Sequence, residues 1–358
     1  DNDVVAEVFG TRAQANVTSI LPSEHDKTSY LYMLFGFLYC LCSPKRFRLI
    51  KLFFYFLIRR NKFLAKDLMC IVWFLKSRDI KIDNCVAHFG SNGVIFDYLV
   101  KAELIECDNL FTIFHGYEIS RYDQLTIWEK LYGKLGGKLL PISEHWKSKL
   151  VSLGVAPSRI EVVHMGVDVD RFSYNEKAAS TPLSILSVAR ATEKKGLHFA
   201  IEAVLMCPIE CSYTIIGDGV LLPELRNKAN NHPNGHRVIF KGAQPSSVVA
   251  SSLKSTDLFL LPSVRDSSGD MEGIPVSLME AMASGVVVLS TVHSGIPELI
   301  TDGESGFLVP EKDSGAISRK IVEISKNQNL NIIRKNARCK VDDEFNARKL
   351  QTRLLEIL

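Results

Sequence analysis

Two cations, Arg190 and Lys195, follow the apolar run Leu183–Val188 and are joined through the turn Glu193-Lys194-Lys195-Gly196. Arginine offers a planar fork and lysine a point charge, and both suit the oxygens of a phosphate. Further on, Glu272-Gly273-Ile274-Pro275 opens a helical stretch that carries Glu280. A proline fits the first turn of a helix. A glycine before it lets a ligand approach the backbone. The unpaired N–H groups of that turn then favour an anion. Glu280, about a turn and a half inside, can accept hydrogen bonds from ring hydroxyls, and Glu272 can reach a hydroxyl-rich group beside the anion. Gly217-Asp218-Gly219 is either a tight strand-to-helix turn or part of the same site. In the first half of the chain, His88 precedes Phe89 and Gly90-Ser91-Asn92-Gly93, and His115 follows Leu110–Phe114. Such a set suits a diphosphate flanked by hydroxyl-bearing rings, with fixed cations and backbone donors neutralising the charge that develops as the diphosphate leaves.

Alternating strands and helices must position these residues. Short β-branched runs occur at Leu183–Val188, Ser212–Ile216, Arg237–Lys241, Asp257–Leu261, Val286–Ser290 and Gly306–Val309, with helical patterns around 196–206, 221–230, 246–254 and 276–284. Earlier strands are predicted at Cys85–Phe89, Leu110–Phe114, Lys138–Ile142 and Arg159–His164, and Ser143-Glu144 is a good helix start. The alternation predicts an α/β fold of parallel sheets built from right-handed βαβ units. Two such sheets in tandem make two facing Rossmann-like domains, with ligands at the carboxyl ends of the strands. The polar stretch Tyr174–Pro182 marks the boundary. The expected parts are residues 1–170, residues 171–335, and a C-terminal helix over 336–358 able to pack back on the first domain.

The 358 residues are 46% hydrophobic and 23% charged, the composition of a globular chain, and the formal charge of +3 gives no argument for nucleic acid. Eight cysteines show no paired metal-ligand spacing and read as reduced thiols. Asp168-Val169-Asp170 has the look of a D-x-D metal pattern, but it lies at the expected linker and Arg190 with Lys195 already supplies positive charge, so no metal is assigned. His164, His198, His232, His236 and His293 have no partner spacing and receive no role. Tyr30–Cys42 is apolar and aromatic, and eight Lys/Arg fall between Ser43 and Lys66 with no acid, interleaved with Phe47, Phe53, Phe54, Tyr55, Phe56 and Phe63. Neither apolar run reaches the ~18–20 residues that span a bilayer. The segment reads either as an interfacial membrane element or as a pair of core helices with solvated basic ends. No apolar strand precedes Asp1-Asn2-Asp3-Val4, and the expectation is that the true N-terminus is missing.

The stretch from Glu272 to Ala283 resembles the E-x7-E motif of retaining family-4 glycosyltransferases. Ser187-Val188-Ala189-Arg190 with Glu193-Lys194-Lys195-Gly196 resembles their phosphate-binding segment. Ile216-Gly217-Asp218-Gly219, Phe240-Lys241-Gly242 and Leu261-Pro262-Ser263 resemble further motifs of the same domain. His88-Phe89-Gly90 and Phe114-His115-Gly116-Tyr117-Glu118 resemble the bacterial exopolysaccharide subgroup of the colanic-acid type. The likeness covers about residues 83–315. The family's Gly-rich loop after the first strand has no counterpart here.

The resemblance implies a GT-B fold, a nucleotide-diphosphate sugar as donor, a glycan or polyprenyl-linked acceptor, retention at the transferred carbon, and neither metal nor other cofactor. It implies His115 and Glu272 as catalytic residues. Arg190, Lys195, Gly217, Gly219, Gly273, Ile274, Pro275 and Glu280 would bind the donor, with His88 and Gly93 as acceptor-side candidates. It also implies a protein of polysaccharide or lipopolysaccharide synthesis, cytoplasmic and peripheral on the inner membrane surface. A sugar-nucleotide epimerase of the same fold and a non-catalytic donor-binding relative are the competing readings.

Overall fold

The structure, a computed structural model, describes residues 28–59, 61–76, 79–175 and 180–358. Asp1–Val4, Arg60, the side chain of Phe63 and positions 176–179 of the expected linker lie outside the described residues. By compactness the chain divides into one unit made of residues 1–85 and 94–108 and a second made of 86–93 and 109–358.

The first unit contains α1 (Thr28–Leu41), α2 (Phe47–Ile58) and α3 (Lys62–Leu75). α2 buries Leu49, Ile50, Leu52, Phe53 and Phe56. α3 starts at Asn61, whose side chain accepts the Leu64 N–H. Gly36 lets α1 close on α3, because a Cβ there would overlap the Met69 carbonyl. Only part of the basic, aromatic segment is therefore core: Phe47, Phe54 and Ile58 stay exposed. So does an apolar face of α1 made of Leu31, Leu34, Phe35, Leu38 and Leu41. Among the described residues no helix is long and apolar enough to cross a membrane.

β1 (Lys81–His88), α4 (Gly90–Lys101) and β2 (Glu106–Phe114) follow, then α5 (Tyr117–Ser120), α6 (Tyr122–Tyr132), β3 (Lys138–Pro141) and α7 (Glu144–Ser152). The sheet order is β1-β2-β3, with β2 and β3 parallel and Phe111 opposite Lys138. Ser143 caps α7 by accepting the Trp146 N–H at 3.2 Å. The strand predicted at Arg159–His164 does not form. Glu161 and Val163 donate to Leu139 and Pro141, but only a single bridge, Leu139 to Ile160, results. Pro141 has no N–H to return, so the parallel ladder stops there.

The second half is a six-stranded parallel sheet, β4 (Leu183–Val188), β5 (Cys211–Ile216), β6 (Val238–Gly242), β7 (Leu258–Leu261), β8 (Val287–Thr291) and β9 (Phe307–Val309), in the order β6-β5-β4-β7-β8-β9. α8 (Leu197–Met206), α9 (Leu222–Asn230), α10 (Ser246–Lys254), α11 (Val276–Ala283) and α12 (Ile296–Leu299) connect them. Alternate residues feed two cores. Ile185, Leu258 and Leu260 point to the one containing α8, and Leu186, Phe259 and Leu261 to the one containing α11. The strand order reverses direction between β4 and β7, the place where doubly wound sheets bind ligands.

α13 (Ser314–Ser325), α14 (Leu330–Glu344) and α15 (Ala347–Ile357) complete the chain. Residue 335 lies inside α14, so the chain beyond it is two helices and not one. Ala337, Val341 and Phe345 pack with Val167, Val169 and Phe172. α15 then brings Arg353 to 3.9 Å from Glu161.

Candidate active site

The exits of β4, β5 and β6 are sewn together by backbone. Ala189 and Ala191 donate to Ile216 and Asp218, and Gly217 donates to Gly242. Gly217, at φ 141, is needed because a Cβ would overlap the Ala189 carbonyl, and Gly219 closes on Ala191 in the same way. These two glycines thus serve the turn. Gly196 ends the Glu193–Lys195 turn at φ 64, against the Pro262 carbonyl, and Val264 donates to the Lys194 carbonyl. The turn carrying the lysines is thereby locked to the exit of β7, while Arg190 stays exposed at the exit of β4.

The two lysines are not a solvated charge pair. Their side chains are only 16% and 15% exposed. Lys194 meets Asp270 at 3.1 Å and Lys195 meets Glu272 at 3.0 Å. Glu272 is buried, and its Oε1, 3.9 Å from Lys194 Nζ, makes no hydrogen bond among the described residues. Next to Glu272, Gly273 packs so closely that a Cβ would overlap the Ile142 side chain and lie 3.4 Å from the His115 carbonyl. That glycine is what brings the exit of β2 beside the Glu272 turn.

α11 begins after Pro275, and its first turn holds no acid, so its positive end is uncompensated. Ile274 is buried in the core beneath it. Glu280 is half-buried. Burial raises its carboxyl above the ordinary range, and Arg171 works against that shift. The D-x-D pair has structural partners: Asp168 accepts the Asp170 N–H, and Asp170 meets Arg348 at 2.8 Å.

His88 and His115 come together at the ends of β1 and β2, with His88 Nδ1 3.1 Å from His115 Nε2 and the rings stacked. Phe89, between them in sequence terms and 4.5 Å from the His115 ring, is held at φ 72, a conformation that side-chain-bearing residues rarely adopt. Burial, and then the neighbouring His88, hold His115 down to about 4. Burial also lowers His88. The pair is therefore two neutral rings sharing one hydrogen bond. Gly93 packs on the Thr112 side chain, which only a glycine permits.

Three residues that sequence reasoning passed over hold this arrangement. Glu118 is fully buried, and its Oε1 accepts the N–H of His115 at 2.8 Å and of Gly90 at 3.4 Å, fixing both histidine turns. Glu298 accepts the N–H of Glu144 at 2.9 Å and of His145 at 3.1 Å, and meets His164 at 3.0 Å. Burial opposes its charge, but these bonds outweigh it and hold the carboxyl below its usual range. His293 accepts the Glu272 N–H at 3.1 Å. Spacing did not reveal these, since each acts on backbone N–H groups: Glu298 and His293 on ones distant in sequence, and Glu118 on that of Gly90 as well as that of nearby His115. A cavity of about 460 Å³, lined by His145, Arg265, Met271, Ser294 and Glu311, opens beside Met271-Glu272.

Two α/β halves, the second with lysines and carboxylates gathered at the strand exits of its parallel sheet, give the chain the GT-B fold. Residues 168–340 match the family described as glycosyl transferases group 1. The chain is 41% identical over 291 residues to the protein named as the colanic acid biosynthesis glycosyltransferase WcaL of Salmonella typhimurium, covering 79% of this chain and 71% of that one. It is 40% identical over 284 residues to the amylovoran biosynthesis glycosyltransferase AmsK of Erwinia amylovora, covering 77% and 70%. It therefore belongs to the group 1 glycosyltransferases. Among solved structures, HepE of Anabaena in complex with UDP has a TM-score of 0.67 at 19% identity, over 77% of this chain and 78% of that one. Sucrose-phosphate synthase of Thermosynechococcus elongatus has 0.66 at 17%, over 76% and 72%.

Proposed function

We propose that this glycosyltransferase moves a sugar from a nucleotide diphosphate to a glycan or polyprenyl-linked acceptor in exopolysaccharide synthesis, with retention and without a metal. The observation that carries the reading is the buried Lys195–Glu272 pair at the sheet reversal, with the His115 turn packed against the adjoining Gly273. Lys195, Arg190 and the first turn of α11 take the diphosphate, so that the leaving charge falls on preorganised donors. Glu280 takes the ribose hydroxyls, and Glu272 the hexose. The neutral His115 exchanges hydrogen bonds with sugar hydroxyls without competing with the cations. HepE has been crystallised with UDP-glucose, and a relative 23% identical to this chain is named as a galactosyltransferase acting on a diphosphoundecaprenol-linked sugar; both favour these substrate classes. Purified protein incubated with a panel of nucleotide sugars and lipid-linked acceptors should release nucleoside diphosphate, and EDTA should leave that release intact. Strict dependence on Mg²⁺ or Mn²⁺ would overturn the metal-free part.

The same reading places the protein peripherally on the cytoplasmic face of the membrane, through the first unit. The apolar face of α1 and the exposed Phe47, Arg48, Lys51, Phe54 and Ile58 of α2 offer aromatic and aliphatic surface edged with positive charge. Each basic residue near an anionic leaflet is worth about 1 kcal/mol, a contribution that salt screens, whereas apolar burial persists. Binding to vesicles should require anionic lipid and fall, without vanishing, in high salt. Indifference to anionic vesicles would refute it.

A further inference from the structure

His293 and Glu311 form one hydrogen-bonded path to the Glu272 turn. The backbone N–H of Glu272 can only donate, so His293 Nε2, 3.1 Å away, accepts. The neutral ring then carries its proton on Nδ1, which donates to Glu311 Oε1 at 2.6 Å. The other oxygen of Glu311 accepts the backbone N–H of Arg265 at 2.9 Å. The path grips both ends of the segment 265–272. Its middle is stapled separately: Asp266 accepts the N–H of Ser268 and Asp270, and the Glu193 carboxylate accepts both the N–H and the hydroxyl of Ser267. His293 itself is buried, and its successor Ser294 stands at φ 49, a backbone conformation that side-chain-bearing residues rarely adopt. Gly295 then packs against Ile274, immediately beyond the Glu272 turn.

We propose that His293 is a positioning residue for sugar transfer. Through the Glu272 backbone, and through Glu311 to the Arg265 backbone, it sets where the Glu272 carboxylate meets the transferred sugar. This rests on the reading of Glu272 as the hexose contact. The two ring nitrogens can be tested apart. A glutamine at 293 places an amide oxygen near the Nε2 position and can still accept from Glu272. An asparagine places its amide near Nδ1 and cannot. His293→Asn should lower kcat by about 10²-fold, the scale of a displacement of ~1 Å at a reacting group. His293→Gln should recover most of that loss. Glu311→Ala, which removes the Nδ1 partner and the Arg265 contact but leaves Nε2 free to accept from Glu272, should lower kcat less than His293→Asn does. Affinity for UDP and GDP, which lack the hexose, should be unchanged in all three. The idea is overturned if folded His293→Asn keeps wild-type kcat, or if kcat, nucleoside diphosphate affinity and melting temperature fall together in both His293 variants. If the wild-type protein binds no nucleoside diphosphate, the donor reading fails first and this inference falls with it.

Discussion

Lys194 and Lys195 meet Asp270 and Glu272 at 3.1 and 3.0 Å, whereas the imidazoles of His88 and His115 meet each other at 3.1 Å and lose their charge to burial. One side of the site concentrates charge in a turn locked by backbone contacts. The other excludes charge and is held by a carboxylate, Glu118, that touches backbone N–H groups. The contrast fits the two tasks of the proposed reaction. A leaving diphosphate needs fixed cations, while sugar hydroxyls need partners that both give and accept hydrogen bonds without attracting the phosphates. Backbone anchoring serves both sides, because it fixes a side chain's origin and leaves its functional atoms open.

The contrast breaks most visibly on the charged side. Lys195→Met and Arg190→Ala should each lower turnover by roughly 10²–10³-fold, the loss of one preorganised donor to a leaving group. Lys195→Met also leaves the buried Glu272 short of its counter-ion, so its melting temperature should drop further than that of the Arg190 variant, whose side chain is exposed. Near-normal turnover of either folded variant at saturating donor would remove that residue from the clamp.

A smaller effect is expected at Glu280. Burial already disfavours its charge in the free protein. Glu280→Gln should therefore leave the unliganded protein as stable or more so, while weakening donor binding by about 1.5–3 kcal/mol, the worth of a hydrogen bond to a charged group. Calorimetric titration with donor, alongside thermal melts, reads both signs. Unaltered donor affinity in a folded variant would dismiss the ribose contact.

The uncharged side sharpens the comparison through pH. His115 is held to about 4, below the ~6.5 of an ordinary histidine. Between those values the unfolded chain binds a proton that the folded chain refuses. Its stability contribution is fully present above pH ~6.5 and is lost as pH falls toward 4. Urea midpoints at pH 7 and 5 should drop less in His115→Gln than in the wild type, with a residual slope from His88, which burial also lowers. Equal drops would mean that His115 titrates as in the unfolded chain.

The strand-and-helix alternation from Leu183 to Val309 was legible because each run is short, β-branched and followed by a helical pattern, and the strand ends agree with expectation to within a residue or two. The placement of the cations and carboxylates just after those strands was legible for the same reason: a parallel sheet gathers its strand exits at one edge. Arg159–His164 misled, since its alternation is that of a strand and only the missing N–H of Pro141, on the neighbouring strand, denies it a ladder. His293 shows no partner spacing in the sequence because its partner is a backbone N–H twenty-one positions away. The sequence leaves the aromatics between Ser43 and Lys66 open as interfacial or core; the helix turns Phe53 and Phe56 inward and leaves Phe47 and Phe54 outside.

The Lys195–Glu272 ion pair has a bearing on the end of the catalytic cycle. Lys195 is already matched by Glu272, so if it takes the diphosphate as proposed, the arriving anion displaces a carboxylate and not only water. On the proposed reading, a departing nucleoside diphosphate yields Lys195 back to Glu272, and the pair re-forms as the product goes. Release has its own counter-ion waiting 3.0 Å away. Product inhibition should then deepen when that carboxylate is neutralised: Glu272→Gln should hold nucleoside diphosphate longer than the wild type, as dissociation rates by stopped flow would record.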